Sequence, residues 1–358
     1  LFSLYRFEVV SVAQICREAG VSNGVYYRYY SSKEELFEDL LEEFLERFWE
    51  DLYTVNGDSR EERLAQFVKT VSGAARRYAG QVTMFREGQY RRPTYEQRLR
   101  ELYVGTLERL LARPIDEAEY LYVLSGLRFI STRSLYHDLS IDIPLLLEIV
   151  ERGVFGEERS LAIPEAPPAP EPEQLEDGEG KDSGDALIDS GLRLLGKQAF
   201  FDVQVSDIAR GAGFSVGTFY KRFGSKEAFL GEVVRRIGKH TRHYLSLHAP
   251  KGGNRIDREV LGMWNFLSYF GHHREYYDIV REAEFVVPQA VKEYYDGFEH
   301  GYVATLPMYE PAQRPIVANF LMGLFHYLGV EVLFSSRVEE PRSLMEELGT
   351  LLSTGIHP

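Results

Sequence analysis

The chain has 358 residues and a net charge of −14, from 41 lysines and arginines against 55 aspartates and glutamates. This length suggests two domains or more, and 44% hydrophobic content suits a globular protein with a buried core. One cysteine excludes an internal disulfide and a cysteine-based metal cluster. No run approaches a bilayer span and no signal-peptide pattern is present, so a cytoplasmic protein without membrane attachment is the default. The acidity argues at first against a nucleic-acid partner. The chain starts at Leu1 rather than Met, which points to a fragment or to a start further upstream.

Taken in chain order, the pattern is helical throughout. Val12–Ala19 is a short helix stopped at Gly20. Ser22 is placed to cap a second helix, Asn23–Tyr30, and Ser32 a third, with Lys33 in its first turn. Leu36, Leu40, Leu41, Phe44, Leu45 and Phe48 then recur at helical spacing. The acids Glu38, Asp39, Glu42, Glu43 and Glu46 read as a solvated face of that helix, and Val55–Ser59 as a helix-to-helix loop. Two further helical stretches cover Asp116–His137 and Pro144–Val154.

Residues 157–185 differ from everything around them. They hold five of the 15 prolines, no aromatic residue, ten acids and two bases, so the stretch carries −8 of the total charge. Such a segment cannot bury enough apolar surface to order itself, and its proline-rich part favours an extended tether. Beyond it the helices resume at Asp185. Val205–Gly211 is a short helix, Gly213 the turn, Ser215 the cap of Val216–Phe223, and Ser225 the cap of a helix opening with Lys226. An aromatic-rich helical region follows, ending in the stretches Ala312–Leu333 and Pro341–Ser353. The fold class is all-α.

The two sides of the tether repeat one another. Val12–Leu36 lies over Val205–Phe229 without a gap, matching Val12/Val205, Ile15/Ile208, Arg17/Arg210, Gly20/Gly213, Ser22/Ser215, Gly24/Gly217, Tyr27/Tyr220, Ser32/Ser225, Lys33/Lys226 and Glu34/Glu227 among others. Further on, Arg86-Glu87-x-x-Tyr90-x-x-Pro93 parallels Arg281-Glu282-x-x-Phe285-x-x-Pro288. The Arg-Glu pairs read as structural ion pairs or surface charge, in preference to ligand anchors. The resulting boundaries are a first domain of short capped helices at 1–48, lacking its leading helix, a helical domain at 49–156, the linker at 157–185, a second domain of short capped helices at 186–245 and a helical domain at 246–358.

Helix, glycine turn and capped second helix make a helix-turn-helix, whose second helix enters the major groove. Its outward residues should read bases or grip phosphates: Ser215, Val216, Thr218, Tyr220, Lys221 and Arg222 in the second copy, and Ser22, Asn23, Tyr27, Arg28 and Tyr29 in the first. Phe219, Phe223, Tyr26 and Tyr30 should face inward. A lysine in a first helical turn opposes the helix dipole. Lys226 and Lys33 make sense there if an anion such as a DNA phosphate binds the helix N-terminus.

The run Ile208-Ala209…Ala212-Gly213-x-Ser215-x-Gly217-Thr218-Phe219-Tyr220…Phe223-x-Ser225-Lys226-Glu227 resembles the DNA-binding region of TetR-type transcriptional regulators. The motif spans under a quarter of each half. The resemblance implies base or phosphate contacts at Thr218, Tyr220, Lys221 and Lys226, and a helical body that dimerises and binds a ligand whose occupancy releases DNA. The first copy departs from the pattern with Cys16 for alanine, Val25 for threonine and Tyr29 for arginine, so the second copy is the stronger reader. Cys16 reads as a small buried residue.

Function follows as a ligand-responsive, sequence-specific regulator of transcription, with repressor action expected. Its partners are a double-stranded DNA operator and a small hydrophobic or aromatic effector. Trp264, Phe266, Phe270, Tyr277, Phe285, Tyr294 and Phe298 are the candidate pocket wall. TetR-type proteins pair two reading heads. With both on one chain, an intramolecular pseudo-dimer is expected, joined through Asp116–His137 with Pro144–Val154 and Ala312–Leu333 with Pro341–Ser353; a homo-oligomer is left open. Unlike reading helices favour an asymmetric operator. No catalytic constellation, cofactor motif or metal-ligand set is apparent: His240/His243 and His272/His273 lack further ligands. The alternative is a ligand-binding or protein-interaction module with one or both heads inert.

Overall fold

The computed structural model describes residues 1–137, 139–165, 182–335 and 337–356. Among the described residues the regular structure is entirely α-helical, seventeen helices in all. The chain forms two compact units, the first Leu1–Val150 and the second beginning at Glu151. The division falls inside a helix rather than after residue 156.

The first unit contains α1 (Val12–Ala19), α2 (Asn23–Tyr29), α3 (Lys33–Tyr53), α4 (Arg60–Arg77), α5 (Ala79–Arg91), α6 (Pro93–Leu111), α7 (Glu117–Arg133) and the start of α8 (Ile143–Arg152). Its helix starts are written locally. Ser11 with Gln14, Ser59 with Glu62 and Asp116 with Glu119 form reciprocal capping boxes, each side-chain cap worth about 1 kcal/mol. The apolar stripe Leu41, Phe44, Leu45, Phe48 and Leu52 of α3 is buried, as are Leu64, Phe67 and Val68 of α4. α7 is buried on nearly every face.

The second unit contains α9 (Ser183–Leu195), α10 (Val205–Gly211), α11 (Val216–Phe223), α12 (Lys226–Leu247), α13 (Arg255–His272), α14 (Arg274–Val286), α15 (Pro288–Ala304), α16 (Arg314–Leu333) and α17 (Pro341–Thr354). Proline opens α15 and α17, where a missing N–H costs nothing. One hydrophobic core runs from the small helices into the body. Leu187, Phe200, Ile208, Phe219 and Phe229 belong to the same cluster as Phe270, Tyr276, Ile279, Val280 and Ala283. The long helices α3 and α12 pass straight through residues 48 and 245, where the sequence separates DNA-binding from helical domains.

Two expectations need correction. Glu157–Ile163 is not free tether. Asp257 at the start of α13 accepts the Ser160 and Leu161 N–H groups at 2.9 Å each and the Ser160 hydroxyl at 2.5 Å. Glu157 accepts the Arg255 N–H at 3.1 Å, and Ile163 is buried. A buried carboxylate that accepts these three hydrogen bonds, and a fourth from the Asn254 N–H at 3.0 Å, thus anchors the acidic stretch at its start, and Asp182 at its other end caps α9. Residues 166–181, with Pro167, Pro168, Pro170 and Pro172, lie outside the described residues. Secondly, α16 is long and apolar enough to cross a membrane, with a mean hydropathy of 1.6 over its best window. Two thirds of that window is buried in the protein. Its Asn319 donates to Glu299 at 2.8 Å, and its Glu331 accepts the Ser335 hydroxyl. These are features of a core helix.

Candidate nucleic-acid interface

Short-range chemistry shapes the second head. Gly213 sits at φ +77°, a region that costs other L-residues energy, and turns the chain between α10 and α11. Ser215 then caps α11, its hydroxyl accepting the Thr218 N–H at 3.1 Å. Phe219 points inward and is fully buried, its ring 5.3 Å from Phe223 and 5.1 Å from Phe229. The opposite face of α11 is left outward: Val216, Tyr220, Lys221 and Arg222 are exposed, and Thr218 is half-buried with its hydroxyl 3.0 Å from that of Ser215. Arg222 reaches Asp182 at 3.4 Å. An exposed pair of this kind is worth about 0–1 kcal/mol, so a phosphate can displace the carboxylate.

The first head is built alike. Gly20 has φ +67°, and Ser22 accepts the Val25 N–H at 3.3 Å. Tyr26 is buried with its hydroxyl on the Ser32 carbonyl at 2.9 Å, and Tyr30 donates to Asp39 at 2.8 Å. Asn23, Tyr27, Arg28 and Tyr29 face solvent, Tyr29 being 72% exposed. Arg28 is therefore the one cation on this reading helix, where α11 presents Lys221 and Arg222. Cys16 is buried.

Lys33 and Lys226 do not face outward. Lys33 Nζ donates to the carbonyls of Phe7 at 2.6 Å and Val10 at 2.8 Å, over the Phe7 ring. Lys226 Nζ donates to the Phe200 carbonyl, over the Phe200 ring at 4.3 Å. The anion expected at these helix starts is replaced by main-chain oxygens and an aromatic face. Burial lowers both ammonium pKa values.

The recurring Arg-Glu pairs take on a role the sequence did not reveal. Glu282 of α14 is buried, and both its carboxylate oxygens accept the Phe200 N–H at 3.0 Å. Glu87 of α5 does the same for Phe7, at 3.1 and 3.2 Å, with Arg6 at 3.7 Å and Arg91 at 3.6 Å. Burial pushes the Glu87 carboxyl up against the opposing pull of the Phe7 N–H and Arg6. In each unit the phenylalanine backbone is held on its N–H by a body helix and on its C=O by the lysine after the reading helix. The recurrence of an Arg-Glu pair in otherwise diverged sequence was the only signal for it.

Behind the second head, α12–α16 enclose a cavity of about 710 Å³. Phe266, Tyr277, Tyr294 and Phe298 line it, whereas Trp264, Phe270 and Phe285 do not. Phe270 is wholly buried in the core instead, between Phe266 and Tyr277. Phe325, Tyr295, Tyr302, His326 and several arginines complete the wall. Tyr295 and Tyr302 belong to the aromatic-rich stretch already legible in the sequence; Phe325, His326, Arg242, Arg255 and Arg258 carry no common motif, because the lining is scattered over 85 positions from Arg242 to His326.

A positive-φ turn between two short helices, the second capped and showing a polar outer face, defines a helix-turn-helix DNA-binding protein. Residues 1–40 and 187–233 match the family of bacterial regulatory proteins, tetR family. The transcriptional regulator EthR of Mycobacterium tuberculosis (strain ATCC 25618 / H37Rv) is 27% identical over 192 residues, covering 50% of this chain and 85% of EthR. YdgC of Bacillus subtilis (strain 168) is 26% identical over 194 residues, 50% of this chain and 95% of YdgC. BetI of Agrobacterium fabrum is 42% identical over 52 residues, 14% of this chain and 25% of BetI. Among solved structures, FadR from Bacillus subtilis in complex with stearoyl-CoA aligns with a TM-score of 0.41 and 18% identity, over 48% of this chain and 98% of FadR. Through its two matched segments the chain is similar to the tetR family of helix-turn-helix transcriptional regulators.

Proposed function

We propose that the chain is a ligand-responsive repressor that carries both reading heads of an operator complex itself, as a single-chain pseudo-dimer. The observation that carries this reading is the second head. It combines a solvent-facing reading helix bearing Lys221 and Arg222 with a buried bond from Glu282 to Phe200, which ties the head to a helix lining the cavity. Thr218, Tyr220, Lys221 and Arg222 are assigned to DNA, with Asn23, Tyr27, Arg28 and Tyr29 in the first head. The apolar helices α7 and α16, which occupy corresponding places in the two units, are assigned with α8 and α17 to the pseudo-dimer interface. Residues apolar on all sides of a helix call for burial on all sides.

Regulation would run along α14. Tyr277, Val280 and Arg281 line the cavity, and Glu282 is the next residue. An effector favouring a shifted α14 moves the carboxylate that positions Phe200. It weakens DNA binding only by the difference in its affinity for the two states. Selection of bound sites from genomic DNA with the purified chain tests the proposal. A site with two unlike halves supports it, and binding that is independent of sequence and lost at modest salt counts against it.

A second reading rests on the first head. With Arg28 the one cation on its reading helix, that head would serve as an inert partner to the second. The same selection would then return a single half-site.

A further inference from the structure

The cavity in the second unit is short of negative charge. Arg242, Arg255, Arg258 and Arg281 line it, against one acid, Glu259. Glu259 is already committed: it accepts from Arg255 at 2.6 Å and from the Tyr302 hydroxyl at 2.7 Å. Arg281 stands 3.8 Å from Asp278, and Arg258 is exposed at the rim. Arg242 is the outlier. Among the described residues it makes no salt bridge and its buried Nη1 has no hydrogen-bond partner, and the guanidinium lies 5.3 Å from the centre of the Phe298 ring.

The fold makes room for this cation. A Cβ on Gly297 would stand 2.8 Å from Nη1, and one on Gly238 would stand 3.0 Å from it. Two glycines on facing helices thus clear the space the guanidinium occupies. Housing a part-buried charge with no counterion is costly, and truncating the arginine would normally relieve that cost. The tyrosines nearby do not offset it, since burial pushes the Tyr277, Tyr294 and Tyr302 hydroxyls well above their ordinary pKa and keeps them neutral. In the ungapped register of the two long helices, Trp49 of α3 stands where α12 has Arg242, so this cation is particular to the second unit. Around it the wall is apolar and aromatic: Phe266, Tyr294, Tyr295, Phe298 and Phe325.

We propose that the effector is an amphipathic carboxylate, its apolar body against the phenylalanine wall and its anionic head paired with Arg242, with Arg258 at the rim adding to the attraction. This rests on the effector reading above and names the ligand class. A guanidinium offers paired N–H donors to a carboxylate, and the low-dielectric wall strengthens the pair. Arg242 also lies on the helix that begins at Lys226, so neutralising it acts on the element that supports the reading head.

The test uses matched acids and alcohols on the full chain by titration calorimetry: dodecanoate with dodecanol, and 1-naphthaleneacetate with 1-naphthaleneethanol. At least one acid should bind about tenfold or more tighter than its alcohol. Arg242→Met should bring that pair to within roughly twofold of each other by weakening the acid and sparing the alcohol. Arg242→Gln serves if the methionine variant does not fold. Equal binding of acid and alcohol by the unaltered chain overturns the carboxylate assignment while leaving an effector cavity in place. A preference that survives both substitutions overturns Arg242 as the anchor. If none of the four compounds binds, the effector reading falls and this inference with it.

Discussion

Glu282 grips the backbone of Phe200 from the helical body, both carboxylate oxygens lying 3.0 Å from one amide nitrogen. The same amino acid is gripped at its carbonyl by Lys226. Removing the carboxylate strands a buried donor, which costs about 1–3 kcal/mol. Glu282→Ala should therefore lower stability by that amount in denaturant titration and speed hydrogen exchange at the Phe200 amide. Glu282→Gln keeps an acceptor and should lose less. If the alanine variant is as stable as the parent, the bond is not a structural tie.

The lysines can be told apart by salt. Lys221 is exposed, and losing one phosphate contact should reduce the slope of log K against log salt by about 0.9. Lys221→Ala should show that change in band-shift titrations. Lys226→Ala should lower the melting temperature and weaken DNA binding without changing the slope, because its ammonium serves Phe200. A reduced slope for Lys226→Ala would return that lysine to the phosphate backbone.

Gly213 at φ +77° tests the turn. Gly213→Ala should destabilise the second unit by about 1 kcal/mol, because a side chain in the left-handed region meets the neighbouring carbonyl. Among the described residues no atom beyond Gly213 and its two chain neighbours lies within 4 Å of the added Cβ, so local backbone strain is the whole effect. A melting curve that does not move would rule out the positive-φ turn.

The anchor of the segment 157–163 should respond to acid. Burial alone would raise the Asp257 pKa, but the Ser160 hydroxyl and the N–H groups of Leu161, Asn254 and Ser160 outweigh it and hold the carboxyl at about 2, against an ordinary 3.8. A carboxylate depressed in the folded state stabilises it at pH above its ordinary pKa, and that contribution is lost as pH falls toward 2. Hydrogen exchange at the Ser160 and Leu161 amides should accelerate between about pH 4 and pH 2. Asp257→Asn should show the fast exchange already at neutral pH. Equal protection across that range would remove Asp257 as the anchor.

The legible parts of this molecule were local. Serine caps at 22, 32, 215 and 225, the glycine turns, and the inward Phe219 and Tyr26 all follow from spacing of three or four residues, and the structure places them so. What stayed hidden was long-range. Lys226 looked like an anion ligand because its helix position is electrostatically unfavourable, and its true partner is a carbonyl 26 residues upstream. Glu282 looked like surface charge because Arg281 precedes it, yet the neighbours turn to different sides of α14. Arg242 carried no motif, since its meaning comes from five helices meeting around it and from the commitment of the one acid in the cavity wall, Glu259, to Arg255 and Tyr302.

The central claim is that one chain supplies both reading heads. Native mass spectrometry of the chain on its selected operator measures this directly. The account predicts one 41.2 kDa chain per operator, with footprinting showing protection in two major grooves about one helical turn apart. Two chains per operator, each protecting a single identical half-site, would contradict it.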